Sequence, residues 1–200
     1  MTVQYTNRRS KTYYLHEGKT KTGTPQYYFS TKKEGKLVGK MPEGYEIYEH
    51  PTNARVLLRK KQPKIITDIE KQIIDKYLTK LETPRRYVLD IKGKVITIFE
   101  SDQDIDNLKE LFGDMLNSGV HQKNMGIDLT VDSVVNLAIS YCPVMRFALE
   151  DEVRRTFIAE RYCFKGSIDD WIYIGGPDSL EKLVRKYVIH LGTDFFYDLY

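Results

Sequence analysis

Cysteine is scarce: the 200 residues hold only 2, Cys142 and Cys163, too few for a disulfide framework or a four-thiolate zinc site, which fits a reducing compartment. Long apolar runs are missing too. None exceeds about five residues, far short of the roughly 20 a membrane-spanning helix needs, so no membrane partner is expected. The opening Met-Thr-Val-Gln-Tyr lacks the basic and then apolar order of a secretory leader, and a cytoplasmic location is the expectation. No repeat and no low-complexity tract is present, and with 7 Pro and 13 Gly the composition is neither collagenous nor disordered. The chain also lacks a Ser-His-Asp elbow, a Walker loop and a dinucleotide fingerprint, so no catalytic residue and no cofactor is assigned.

One further absence is informative. Residues 1–64 contain no Asp; their 14 Lys and Arg stand against 5 Glu, a net charge of +9. The remaining residues carry 17 basic and 23 acidic side chains, net −6, within a total of +3. A basic face turned outward would concentrate a polyanion such as nucleic acid. A basic segment packed on the acidic one would instead offset charge within the molecule.

Hydrophobic periodicity predicts an α+β protein of antiparallel hairpins, a meander and about four helices. Residues 11–30 set Tyr-rich runs on either side of Gly18, Gly23 and Pro25 and read as a hairpin. One helical turn is expected within Lys32–Lys40, then strands over Tyr45–Glu49 and Arg55–Arg59. The division this suggests is a basic, Tyr-rich unit of three or four strands over 1–64 and an acidic α+β region over 65–200, the two also being compatible with one continuous domain. Thr67 and Glu70 have capping-box spacing ahead of Ile69, Ile73, Ile74, Tyr77, Leu78 and Leu81, a helical stripe that Pro84 should stop. A hairpin over Tyr87–Ile91 and Val95–Phe99 precedes a helix whose Ile105, Leu108, Leu111, Phe112 and Met115 should face inward. Val120–Leu129 reads as a loop, and Thr130 as the cap of a third helix. The meander follows, with turns at Glu150-Asp151-Glu152 and near Lys165-Gly166. Asp178 and Glu181 then have capping-box spacing before a fourth helix, which Gly192 should end.

Candidate chemistry concentrates in the first third. Lys19 and Lys21 at the hairpin tip and Arg59, Lys60 and Lys61 at a strand end should project from a sheet, and Tyr13 and Tyr27 supply rings on which bases could stack. Adjacent tyrosines in a strand point to opposite faces, so only one of each pair, Tyr13/Tyr14 and Tyr27/Tyr28, can serve. Other patterns have simpler accounts. Asp102, Asp104 and Asp106 imitate a calcium loop, but Asn107 stands at the glycine position and Gly113 at the glutamate position, so a helix start explains them better. The four histidines have no helical-spacing partner and no neighbouring Cys, and no metal site is assigned. Asp90-Ile91-Lys92 has the acid-x-Lys order of metal-dependent nucleases, without a second acid on a predicted neighbouring strand. Gly175-Gly176-Pro177-Asp178 reads as a capped helix start rather than a phosphate cradle. Asp169-Asp170-Trp171 is expected to meet Arg154, Arg155 and Arg161 in cross-strand ion pairs, or to form a recognition surface on Trp171.

The runs Tyr13-Tyr14-Leu15-His16-Glu17-Gly18-Lys19-Thr20-Lys21-Thr22-Gly23, Pro42-Glu43-Gly44-Tyr45-Glu46-Ile47-Tyr48-Glu49 and Leu57-Leu58-Arg59-Lys60 resemble the opening of a group of small bacterial proteins with no assigned activity. The resemblance covers roughly the first third and implies a bacterial origin and a bounded N-terminal unit, without functional residues. The functional expectation is a non-enzymatic intracellular binding protein that contacts nucleic acid or another polyanion through the basic, aromatic N-terminal surface. Two alternatives stand beside it: an adaptor or inhibitor module docking an acidic protein partner, and a hydrolase or nuclease whose site is scattered along the chain.

Overall fold

The computed structural model describes residues 2–81, 85–117, 130–164 and 169–198 and is α+β, with antiparallel hairpins and a meander. In chain order the elements are β1 (Gln4–Thr6), β2 (Thr12–Lys19), β3 (Pro25–Ser30), β4 (Tyr45–Glu49), β5 (Val56–Lys60), α1 (Asp68–Thr79), β6 (Tyr87–Lys92) and β7 (Val95–Ser101). Then come α2 (Ile105–Asn117), α3 (Val131–Ala138), β8 (Tyr141–Asp151), β9 (Thr156–Cys163), β10 (Asp170–Ser179) and α4 (Leu180–Tyr187). The chain forms two compact units, the first of residues 1–61 and 103–140, the second of 62–102 and 141–200. The boundary after residue 61 lies close to the charge break at 64, but α2 and α3 belong with the basic segment, so each unit is discontinuous in sequence.

In the first unit β1, β2 and β3 form one antiparallel sheet and β4 and β5 a separate two-stranded ribbon, five strands in place of the expected three or four. Alternation along β2 sends Leu15 into complete burial opposite half-buried Phe29, while His16, also buried, lies on the other face. The helical turn expected within Lys32–Lys40 does not form. Gly35, at φ +106°, and Gly39 disfavour helix, and the segment runs extended beside β2, where Glu17 donates its N–H to the Lys36 carbonyl and Val38 to Leu15, each at 2.9 Å. His16 Nε2 donates to the Lys32 carbonyl at 3.0 Å, which ties the same segment down.

Helix α2 starts where the Asp104 carboxylate accepts the N–H groups of Asp106 (3.0 Å) and Asn107 (3.1 Å), so the acids that imitate a calcium loop cap a helix. Its packed face is narrower than its apolar stripe: Ile105 is buried, whereas Leu111 and Met115, expected to face inward, are exposed. Thr130 caps α3 as expected, accepting the Ser133 N–H at 3.2 Å. Arg9 reaches this helical pair, its Nη2 donating to the Ile139 carbonyl at 2.5 Å.

The second unit is a five-stranded antiparallel meander in the order β10-β9-β8-β7-β6. One sheet face supplies Ile96, Ile98, Met145, Phe147, Phe157, Ala159 and Ile174 to a core completed by Ile74 of α1 and by Leu183, Val184 and Tyr187 of α4. The period-2 burial of β7 and β9 is what a sheet covered on one side requires. Helix α1 carries the expected capping box: Thr67 Oγ1 accepts the Glu70 N–H at 3.2 Å and the Glu70 carboxylate accepts the Thr67 N–H at 2.8 Å. The helix ends at Thr79, and Pro84 lies outside the described residues, as do Lys165-Gly166 and the stretch 120–129.

Two turn expectations are corrected. Strand β8 continues through Asp151, which moves the turn to residues 152–155. Strand β10 runs through Ser179, which becomes the N-cap of α4, so the Asp178/Glu181 capping box does not form. Asp178 instead accepts the Ser179 N–H at 2.7 Å and pairs with Lys182 at 3.2 Å. Gly192, at φ +77°, turns the chain after the 3-10 turn Val188–His190 that extends α4.

Candidate functional site

Several cations of the first unit are held by partners within the fold. Arg8 pairs with Glu49 at 2.8 Å and Lys36 with Glu17 at 2.7 Å. Arg59, expected in the binding set, pairs with Glu46 at 2.7 Å and lies over the Tyr48 ring with its guanidinium carbon 4.1 Å from the centroid, so it holds β4 to β5. Lys19 and Lys21 stand exposed at one hairpin end, and Lys60 and Lys61 are exposed at the end of β5, in the other sheet. The two expected clusters therefore do not share a sheet. Lys32 and Lys33, outside the two expected clusters, are exposed just beyond β3.

The aromatic side of the expectation changes face. Tyr13 and Tyr27 point to the same side of the sheet as buried Leu15 and are half-buried, as is Tyr14 on the other face; of the four rings only Tyr28 is exposed. Tyr14 and Tyr28 occupy the opposite face. Tyr28 is 46% exposed, stacks on the His16 imidazole with centroids 5.4 Å apart and planes 12° apart, and covers Gly18. A Cβ at residue 18 would stand 3.2 Å from the Tyr28 ring, so glycine is what allows the ring to lie so close to the strand. Register places Tyr14 opposite Ser30 and His16 opposite Tyr28, which makes the two tyrosines diagonal neighbours, roughly 7–8 Å apart.

Lys33 Nζ stands 5.8 Å from the Tyr14 centroid, and Tyr14, Lys33, Thr2, Gln4 and Leu37 line an open groove of about 470 Å³. From Tyr14 to Lys19 the strand spans about 17 Å; Lys33 lies beside Tyr14 on the ring-bearing face, whereas Lys19 shares the parity of Leu15 and leaves the strand end toward the opposite face. The ring-bearing face thus carries Lys33 beside Tyr14, while Lys19 and Lys21 stand exposed at the hairpin end. The sequence signal for it was the pair of Tyr-Tyr dipeptides, and the register decided which partner of each faces out.

In the second unit the titratable groups are tied into the fold. Burial alone would raise the Glu70 carboxyl, but the Arg155 guanidinium and the Thr67 hydrogen bonds outweigh it and hold the group below the ordinary glutamate value. Arg155 donates to Glu70 through Nε at 2.9 Å and Nη2 at 2.5 Å, and Arg154 lies 3.9 Å from Asp151, so neither meets Asp169 or Asp170 as expected. Burial, and then Glu100, pushes the Tyr87 hydroxyl far above its ordinary value. Asp90 pairs with Lys92 at 3.4 Å, and among the described residues no three His, Cys, Asp or Glu side chains come together as a metal cluster. Gly175 and Gly176 line a cleft of about 340 Å³ with Asp178, Lys182 and Lys186, in which the Asp178 carboxylate pairs with Lys182 at 3.2 Å.

Among the described residues no helix is long and apolar enough to cross a membrane. No family model, curated protein or solved structure matches the chain.

Proposed function

We propose that the first unit binds single-stranded nucleic acid, with Tyr14 and Tyr28 stacking on bases and Lys33, Lys32, Lys19 and Lys21 pairing with the backbone phosphates. The observation that supports this reading is the placement of two outward tyrosines, one of them 46% exposed, on one sheet face, with Lys33 Nζ 5.8 Å from the Tyr14 ring. Stacking needs unpaired bases, which a duplex keeps inside its own stack, so single strands are favoured over duplex. Stacking on exposed rings gives little sequence preference, because every base has a π-face.

Fluorescence anisotropy with a labelled oligothymidine tests this. Binding should be tight at low salt and should fall steeply between roughly 50 and 200 mM, as expected for several phosphate contacts. Tyr28→Ala should weaken it by about 5- to 150-fold, the equivalent of roughly 1–3 kcal/mol per stacked base, and Tyr27→Ala far less. Absence of binding at low salt, or equal loss from the two variants, would overturn the proposal.

A further inference from the structure

We propose that the outer edge of β10 in the second unit is a docking edge for a basic peptide in extended conformation, which would add as a sixth strand over residues 170–173. Natural sheets blunt their edges with bulges and proline, and β10 does so along one half only. Asp170, Trp171, Ile172 and Tyr173 pair in unbroken register with β9; register shifts follow at Gly175 and Asp178, and Pro177 lies between them. β10 ends the strand order, and among the described residues no strand pairs with its outward side. The regular half thus offers an edge without bulge or proline, on which the Trp171 N–H donates to the Asp170 carboxylate at 2.7 Å and must exchange that bond when a strand adds.

The side chains around that half select the partner. On the sheet face away from the helices, Trp171 lies opposite Tyr162 and Tyr173 opposite Glu160. Phe164 is 62% exposed and Tyr173 52%, and Tyr162 joins Phe164 to Trp171 with centroid distances of 4.6 and 5.0 Å. Arg146 already shows what this cluster accepts: its guanidinium carbon sits 4.4 Å from the Trp171 centroid while its Nε and Nη2 donate to Glu160 at 2.5 and 3.1 Å. Exposed Asp169 and Asp170 flank the strand start. Aromatic faces beside carboxylates complement Lys and Arg side chains and repel phosphate, so the occupant is a basic peptide and not nucleic acid. Alternation along the added strand would bring every second side chain over the ring cluster.

Trp171 is the chain's only tryptophan, so its emission reports on this edge alone. The probe is a short peptide of alternating Arg and Val, compared with its Glu-Val counterpart and with an Arg-Val peptide N-methylated at every second backbone nitrogen. The wild-type chain should give a saturable change in Trp171 emission with the Arg-Val peptide only. The double variant Asp169→Lys with Asp170→Lys should bind it about tenfold more weakly or worse, since like charges across a contact cost heavily. Hydrogen exchange at residues 170–173 should slow in the complex. No saturable change, an equal change with the N-methylated or acidic peptide, or affinity unaffected by the double variant would overturn the proposal; the three-peptide comparison on the wild-type chain decides it even where the variant fails to fold.

Discussion

Glu70 shows how one side chain can hold several elements at once. Its carboxylate caps α1 through Thr67 and receives two nitrogens of Arg155, a residue at φ +52° in the β8–β9 turn, whose Nη2 also donates to the Ile65 carbonyl at 3.2 Å. Because the folded Glu70 carboxyl lies below its unfolded value, the stability it contributes is fully present above the unfolded value and is lost as pH falls through the folded one. Urea unfolding at stepped pH should show stability of the wild-type chain declining below about pH 4, and the decline should be shallower in Glu70→Gln. Glu70→Gln should itself lose about 1–3 kcal/mol at neutral pH, since the Arg155 guanidinium is left without a carboxylate partner. An unchanged pH profile in the variant would show that other carboxyls govern the acid limb.

At the scale of elements, caps and faces separate what the residue pattern reveals from what it conceals. The Thr67 box forms as its spacing predicts, and Thr67→Ala should cost about 0.5–2 kcal/mol. The N-cap of α4 is Ser179, one residue beyond the expected Asp178, and its side chain makes no capping bond, so Ser179→Ala should change the melting temperature little. Sequence spacing located the hairpin over 11–30, the β6–β7 hairpin and the later meander, because alternation and turn residues act locally. It could not choose which tyrosine of each pair faces out, since that depends on the register that buries Leu15, nor foresee that Arg59 is held by Glu46 on a partner strand. Charge reversal tests the proposed cations: replacing Lys19, Lys21, Lys32 and Lys33 with Glu should abolish oligothymidine binding. Reversing Lys182 and Lys186 on α4, or Lys60 and Lys61 in the other sheet, should weaken it modestly through the general field. A larger loss from the α4 pair would move the contact surface to the second unit.

The whole molecule is organised by a discontinuity that no local pattern announces. Ser101 of β7 and Tyr141 of β8 are direct register partners, and the chain between them supplies α2 and α3 to the other unit. In topological terms that helical pair is a passenger on the tip of an ordinary β-hairpin, since the two strands already face each other as a two-residue turn would leave them. Joining Asp102 to Tyr141 through a short Asn-Gly turn in a chain that begins at Gln62 should therefore give a minimal five-stranded meander with both covering helices that unfolds cooperatively. A non-cooperative melt would show that the excised parts are needed for its stability. Lengthening the excursion should matter little by comparison, because each doubling of a flexible loop costs only about 0.6 kcal/mol. The β7–β8 tip is thus a place where this architecture can gain or lose a module while its strand order stays the same, and the helices that accompany the basic sheet can diverge in length and charge independently of the meander that carries them.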